Sequence, residues 1–171
     1  MSQAFFNAAI EVWSTEEGES EIWGCHFHFK QCCTKKINEV GLKKAYIKNP
    51  LVRKLLKQPQ VLAFVPPLEV VETFESLNDS LADLQPTADL VKVKEFYDYF
   101  ESNFVGFYMY VTTGRGARSF TERVYKEPRF KIKWWNCFDR IELKIPRTNN
   151  FVEGWHNGFQ KNIKNTRVHM S

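Results

Sequence analysis

The chain has 171 residues, 43% of them hydrophobic, 26% charged and 15% aromatic, which suits one globular domain and excludes a disordered linker. No apolar run approaches the roughly 18–20 residues that span a bilayer, so no membrane partner is expected. The net charge of +4 is mild, but its distribution along the chain is not.

The opening, MSQAFFNAAIEVW, has neither a basic start nor a small-residue cleavage site, so no secretion signal is expected there. Phe5, Phe6, Ala9, Ile10 and Trp13 recur at helical spacing and predict a helix over residues 4–13. Residues 14–20 read as a polar loop. Glu21 to Phe29 reads as a strand, because Ile22, Cys25, Phe27 and Phe29 partly alternate with polar neighbours. Lys30 to Val40 is expected to be helical, with Gly41 ending it. Asn49-Pro50 is an N-cap followed by proline at the first helical position, and Leu51, Val52, Leu55 and Leu56 supply that helix's apolar face. Pro66-Pro67 introduces a further helix, with Val70, Val71, Phe74 and Leu77 on its buried side.

Residues 88–104 carry the clearest helical stripe: Val93, Phe96, Tyr97, Phe100 and Phe104. Residues 105–131 read as irregular, an apolar GFYMYV run followed by the basic loop TTGRGARSF. Trp134 and Trp135 mark a return to packed structure, and Pro146 ends that segment. Asn149 or Asn150 is expected to cap a last helix reaching about Asn165. Within it, Asn150 and Glu153 stand at capping-box spacing, and Val152, Trp155, Phe159 and Ile163 form the buried stripe. Glu153 is thus either a structural cap or an active carboxylate.

Charge is distributed in blocks. Residues 30–57 carry nine Lys/Arg against Glu39 alone, a local charge of +8. Residues 69–101 carry nine acids against Lys92 and Lys94, a local charge of −7. Residues 115–147 carry ten Lys/Arg against four acids, a local charge of +6. Two readings are open: helix faces that neutralise one another, or a surface that meets a polyanion. The candidate phosphate contacts are Lys35, Lys36, Lys43, Lys44, Arg115, Arg118 and Arg147. Cys25, Cys32, Cys33 and Cys137 read as reduced thiols rather than a disulfide framework. Cys25-x-x-His28 has metal-ligand types, but two ligands do not make a site, and along a strand they would point to opposite faces. No metal is expected there.

Three strings in this order, GCHFHFKQ at 24–31, WN at 135–136 and RTNNFVEGWHNGFQ at 147–160, resemble the C-terminal half of a MULE (Mutator-like element) transposase domain. The likeness runs from about Ala4 to Phe159. It implies a DDE-type enzyme with an RNase H-like core, two Asp and one Glu holding divalent metal, and DNA transposition in the nucleus; without the resemblance the chain reads as cytoplasmic. It implies that residues 4–30 are a remnant of the core's helix and strand. Residues 30–131 would be a helical insertion, and 132–165 the region of the last catalytic helix, all within one domain over 1–171.

Glu153 matches the family's last catalytic acid, and Cys25 and His28 match its Cys-x-x-His element. Ala4 stands where the second catalytic Asp would open a D-F-E-x-A-type segment, and Phe6 replaces the Glu. The strands that carry the first Asp have no counterpart in the sequence. One acid of three is kept, and nothing in the spacing of Asp139 or Glu142 recommends them as substitutes. The expected fold is mainly α with a short strand remnant of a truncated RNase H-like sheet. The expected function is a transposase-derived domain, catalytically inactive, with Glu153 vestigial, that retains nonspecific DNA binding. No cofactor is expected, and Mg²⁺ only if an intact triad is supplied elsewhere. The alternatives are a co-opted protein-interaction module, or part of an active transposase completed by further sequence. An unpaired strand edge at Ile22–Phe29 would suit a second copy or another protein.

Overall fold

The computed structural model describes residues 23–114 and 119–148. They form helices α1 (His26–Glu39), α2 (Lys43–Lys48), α3 (Pro50–Val61), α4 (Val70–Ala82) and α5 (Ala88–Phe100), then strands β1 (Phe107–Thr113) and β2 (Phe120–Lys126). Two short helices follow, α6 (Ile132–Trp135) and α7 (Phe138–Glu142). The described part is mainly helical with one small antiparallel sheet. None of its helices is long and apolar enough to cross a membrane. The calls on residues 4–13, on the cap at Asn149–Asn150 and on the last helix lie outside the described residues.

The expected strand over Glu21–Phe29 is corrected: His26 to Phe29 are the first turn of α1. The apolar spacing that suggested alternation belongs to a helical stripe, Phe29, Cys33 and Ile37, all buried. The strand edge proposed at Ile22–Phe29 as a docking edge therefore does not exist over the described part of that stretch. Gly41 ends α1 as its sequence suggests. It sits at φ +77°, and the Leu42 and Gly41 amides donate back to Ile37 and Asn38 carbonyls, each at 3.0 Å. That is the Schellman closure, completed by contact-forming apolar residues, Ile37 and Leu42, that are both buried.

At α3 the side chain of Asn49 accepts from the amides of Leu51 (3.0 Å) and Val52 (3.3 Å), with Pro50 at the first position. Pro59 inside α3 cannot donate to Leu55. The orphaned Leu55 carbonyl is taken by the Tyr97 hydroxyl of α5 at 3.1 Å, which ties the two helices together. Helices α1, α3 and α5 pack on one another, with α4 against α3. Between them lies an aromatic core. Phe29 stacks on Trp135 with ring centroids 5.0 Å apart and planes 6° from parallel, and meets Phe104 edge-on at 5.1 Å.

The region 105–131, expected to be irregular, contains a hairpin. Residues Glu101–Val105 continue α5 as one wide π turn, and Gly106 donates to the Glu101 carbonyl at 2.7 Å. A helix end leaves carbonyls without partners, and here each is claimed by a different element. Ser102 and Asn103 accept from the amides of Arg129 (3.2 Å) and Phe130 (2.8 Å). Phe104 accepts from the Trp135 indole at 2.9 Å, and Val105 accepts from the Tyr125 hydroxyl. The hairpin is thereby anchored at its root on both sides. Its register runs from Phe107 opposite Lys126 to Thr113 opposite Phe120. The residues are aromatic and β-branched, which suits strands, but GFYMYV shows no alternation to announce one.

Candidate nucleic-acid interface

Each strand of the hairpin has seven residues, so the ribbon extends about 24 Å from its root. Both faces are largely exposed. One face carries Tyr108, Tyr110 and Thr112 opposite Tyr125, Arg123 and Thr121. The Arg123 guanidinium lies 3.9 Å from the Tyr108 ring centroid and 3.5 Å from a Glu75 carboxylate oxygen on α4. The other face carries Met109, Val124 and Phe120, all exposed. At the far end, Gly114 at φ +96° begins the loop GRGARS, residues 114–119. Arg115 and Arg118 belong to that loop and lie outside the described residues. The described strands end at Thr113 and begin again at Phe120, at the end of the ribbon remote from its root.

The basic block 30–57 spreads over α1, α2 and α3, and its members have different roles. Lys35 pairs with Glu39 at 3.9 Å, both well exposed. Lys36 lies over the Tyr99 ring at 5.4 Å. Arg53 is structural: its Nε donates to the Tyr46 carbonyl at 2.8 Å and its Nη2 to Ile47, which closes the end of α2. Lys43 and Lys44 are exposed on α2, and no described acid lies within ion-pair distance of them. The acidic block of α4 and α5 contributes one described pair to either basic block, Glu75 with Arg123. Asp89 at the start of α5 lines one shallow cleft with Lys44 and Lys48, so the two blocks also meet without a close ion pair.

Cys25 and His28 are not the flanks of a strand end. Cys25 is the N-cap of α1 and His28 its third residue, so helical spacing sets them one turn apart on the same side. The expectation of opposite faces is corrected with the strand. Among the described residues no three His, Cys, Asp or Glu side chains converge where a metal ion could be held. Asp139 and Glu142, both exposed on α7, belong to no such group. The described donor set thus does not fit the paired divalent ions that the resemblance implies, which need several carboxylates to fix two ions about 4 Å apart. Glu153 lies outside the described residues.

Arg147 is brought to a place the sequence does not announce. Its carbonyl accepts from the His26 amide at 2.9 Å, which joins the start of α1 to the chain after α7. Beside it Arg140 is buried, at 4% exposure. Its Nη1 donates to the Gly24 carbonyl at 2.8 Å, its Nη2 donates to Pro146, and its guanidinium lies 5.8 Å from the Trp23 ring. The contact to Gly24 spans 116 residues of sequence and the one to Pro146 only six. No local signal identifies Arg140, because its acceptors are backbone carbonyls, which every residue type offers, and one of them is distant in the chain.

No protein-family model, curated protein or solved structure matches this chain.

Proposed function

We propose that the chain is a domain derived from a MULE transposase that no longer cuts DNA and binds duplex DNA through its phosphates. The observation that carries the DNA-binding part is the hairpin: a ribbon fixed at its root whose two strands are joined, in sequence, by the two-arginine segment GRGARS. Gly-rich backbone approaches phosphate closely, and Arg supplies forked charge-assisted donors. The family part rests on the strings GCHFHFKQ and RTNNFVEGWHNGFQ. The exposed Lys43 and Lys44 of α2 add a second patch of charge. No base-reading element is involved, so sequence preference is not part of the proposal.

A salt titration of binding to random duplex DNA tests it. Each neutralised phosphate contributes about 0.9 to the slope of log affinity against log salt. Arg115→Ser combined with Arg118→Ser is expected to lower the slope by about 2 and to weaken binding equally for unrelated sequences. An unchanged slope would remove the loop from the interface.

Catalysis is a separate arm. In-line attack on a phosphodiester places charge on the attacking and leaving oxygens, and a metal pair must neutralise it. With Ala4 in place of one Asp, no strand cleavage is expected with Mg²⁺ or Mn²⁺. Metal-dependent cleavage abolished by Glu153→Gln would mean that other acids complete the site.

A second reading has its own support. Met109, Phe120 and Val124 share one exposed face of the hairpin, which suits a protein partner better than phosphate. A protein-interaction module would bind random duplex weakly at all salt concentrations, so the same titration separates the two.

A further inference from the structure

We infer that the cleft between the start of α1 and the chain after α7 is a binding site for a phosphate group. The cleft holds about 610 Å³ and is lined by His26, Arg140, Lys144 and Arg147, with Ile141 and Thr148 among its other walls. Every ionisable side chain among its described lining residues is basic. His26 is the first residue of α1, so the positive end of a 14-residue helix adds to the same field.

Two buried polar atoms at this cleft lack partners. Arg140 Nε and His26 Nδ1 are both shielded from solvent and make no hydrogen bond among the described residues. The first belongs to a buried guanidinium whose other two nitrogens are satisfied by neutral carbonyls, with no described carboxylate paired to it. Burying an unbalanced positive charge is costly, and most buried guanidinium groups face an anion. The clasp of Gly24 and Pro146 explains why an arginine is present. It does not explain why the space beside it collects three more basic groups.

Lys144 is the sharpest of these. It occupies the position just past the end of α7 at φ +56°, where the Lys144 and Ile145 amides donate to the Ile141 and Arg140 carbonyls at 3.1 and 2.8 Å. This closure is the same one that Gly41 makes after α1. Glycine is the usual residue at such a left-handed position, and a side chain with a Cβ is strained there. At this strained position the chain carries a lysine that lines the cleft. The ligand class that fits is a doubly charged tetrahedral oxyanion, held by forked and point donors together. Two sources share that chemistry: a phosphate at the end of or along a nucleic-acid strand, and free or small-molecule phosphate.

The site is independent of the hairpin loop, and its test is separate from the salt titration. The full chain is titrated with inorganic phosphate, against chloride at matched ionic strength, and the His26 ring signals are followed by NMR. Burial, and then Lys30, Arg147 and Arg140, hold the His26 pKa below its ordinary value in the empty cleft. No described acidic group opposes them in that balance. A bound anion favours the imidazolium, so the His26 titration is expected to move upward with saturating phosphate and not with chloride.

Lys144→Gly is the deciding variant. It relieves the left-handed strain, so its melting temperature is expected to rise, while phosphate affinity falls about tenfold through loss of one charged donor. Arg147→Gln, which keeps the backbone carbonyl that His26 uses, is expected to weaken binding similarly. Arg115→Ser with Arg118→Ser is expected to leave it unchanged. A non-saturating response, or one equal in chloride, or one retained in both Lys144→Gly and Arg147→Gln, would overturn the inference. Competition by single-stranded oligonucleotides then names the source. Displacement only by a 5′-phosphorylated strand assigns a terminal phosphate, displacement by 5′-hydroxyl strands as well assigns backbone phosphates, and no displacement by either assigns the free ion.

Discussion

Replacing Gly106 with alanine is expected to destabilise the protein by about 4 kcal/mol, from backbone strain and overpacking together. Gly106 sits at φ 81°, ψ 174°, a region of backbone space occupied almost only by glycine. A Cβ there would lie 2.6 Å from the Lys126 carbonyl oxygen and 2.5 Å from the Tyr125 hydroxyl. Neither can retreat cheaply. The Lys126 carbonyl belongs to the pairing backbone of β2, and the Tyr125 hydroxyl holds the Val105 carbonyl. At roughly 3 °C per kcal/mol the melting temperature should fall by about 12 °C. If the hairpin is the DNA-binding arm, affinity should fall with it, since the root no longer fixes the ribbon. Calorimetry checks the first effect; a melting temperature within 2–3 °C of the parent, well short of the fall expected from about 4 kcal/mol, would mean that the junction relaxes.

The second large effect is expected at Asn136. This buried amide donates from Nδ2 to the Leu62 (3.2 Å) and Val65 (2.8 Å) carbonyls and accepts from the Phe138 amide at 2.8 Å. The neighbouring Cys137 amide donates to Ala63 at 2.6 Å. One side chain thus joins the end of α3 to the segment between α6 and α7. Asn136→Ala strands the Val65 carbonyl and the Phe138 amide, leaves Leu62 only the Val65 amide as donor, and should cost about 3 kcal/mol, since an unmade buried hydrogen bond carries the desolvation penalty of its remaining partner. Asn136→Asp is expected to be worse at neutral pH, because a carboxylate would face two carbonyl oxygens without a proton to share. That excess should shrink on acidification, when the protonated acid regains a donor. Urea denaturation at two pH values measures both. An Asp variant equal to the Ala variant at neutral pH would contradict the assigned hydrogen-bond directions.

Much of the helical framework is legible locally. Asn49-Pro50 announces α3, Gly41 ends α1, and the spacing from Val93 to Phe104 draws α5 together with its π turn. Those signals work because a cap or a stripe is settled within a turn or two of chain. The start of α1 was not legible, because four apolar residues over eight positions fit either period. The hairpin was obscured for a different reason. Its strands pair mainly with each other and carry apolar residues on both faces, so no alternation marks an inside. The basic residues were legible as composition, but their division into roles was not. Arg53 closes a helix and Arg140 clasps two distant segments, while Lys43 and Lys44 stay exposed, and only tertiary structure distinguishes them.

The clasp between Gly24 and Arg140 also bears on how the chain is made. Synthesis proceeds from the N-terminus, and domains generally fold as units as they emerge. Helix α1 appears early, yet the ring that stacks on its Phe29 is Trp135, and the donor that holds Gly24 is 116 residues downstream of it. A nascent chain halted at the hairpin therefore presents Phe29, Phe100 and Phe104 without their lid. During that interval these rings are exposed to water or to other chains. Ribosome-stalled full-length chains carrying short and long C-terminal linkers should differ sharply in protease resistance, with the change falling once the linker is long enough for α7 to clear the exit tunnel.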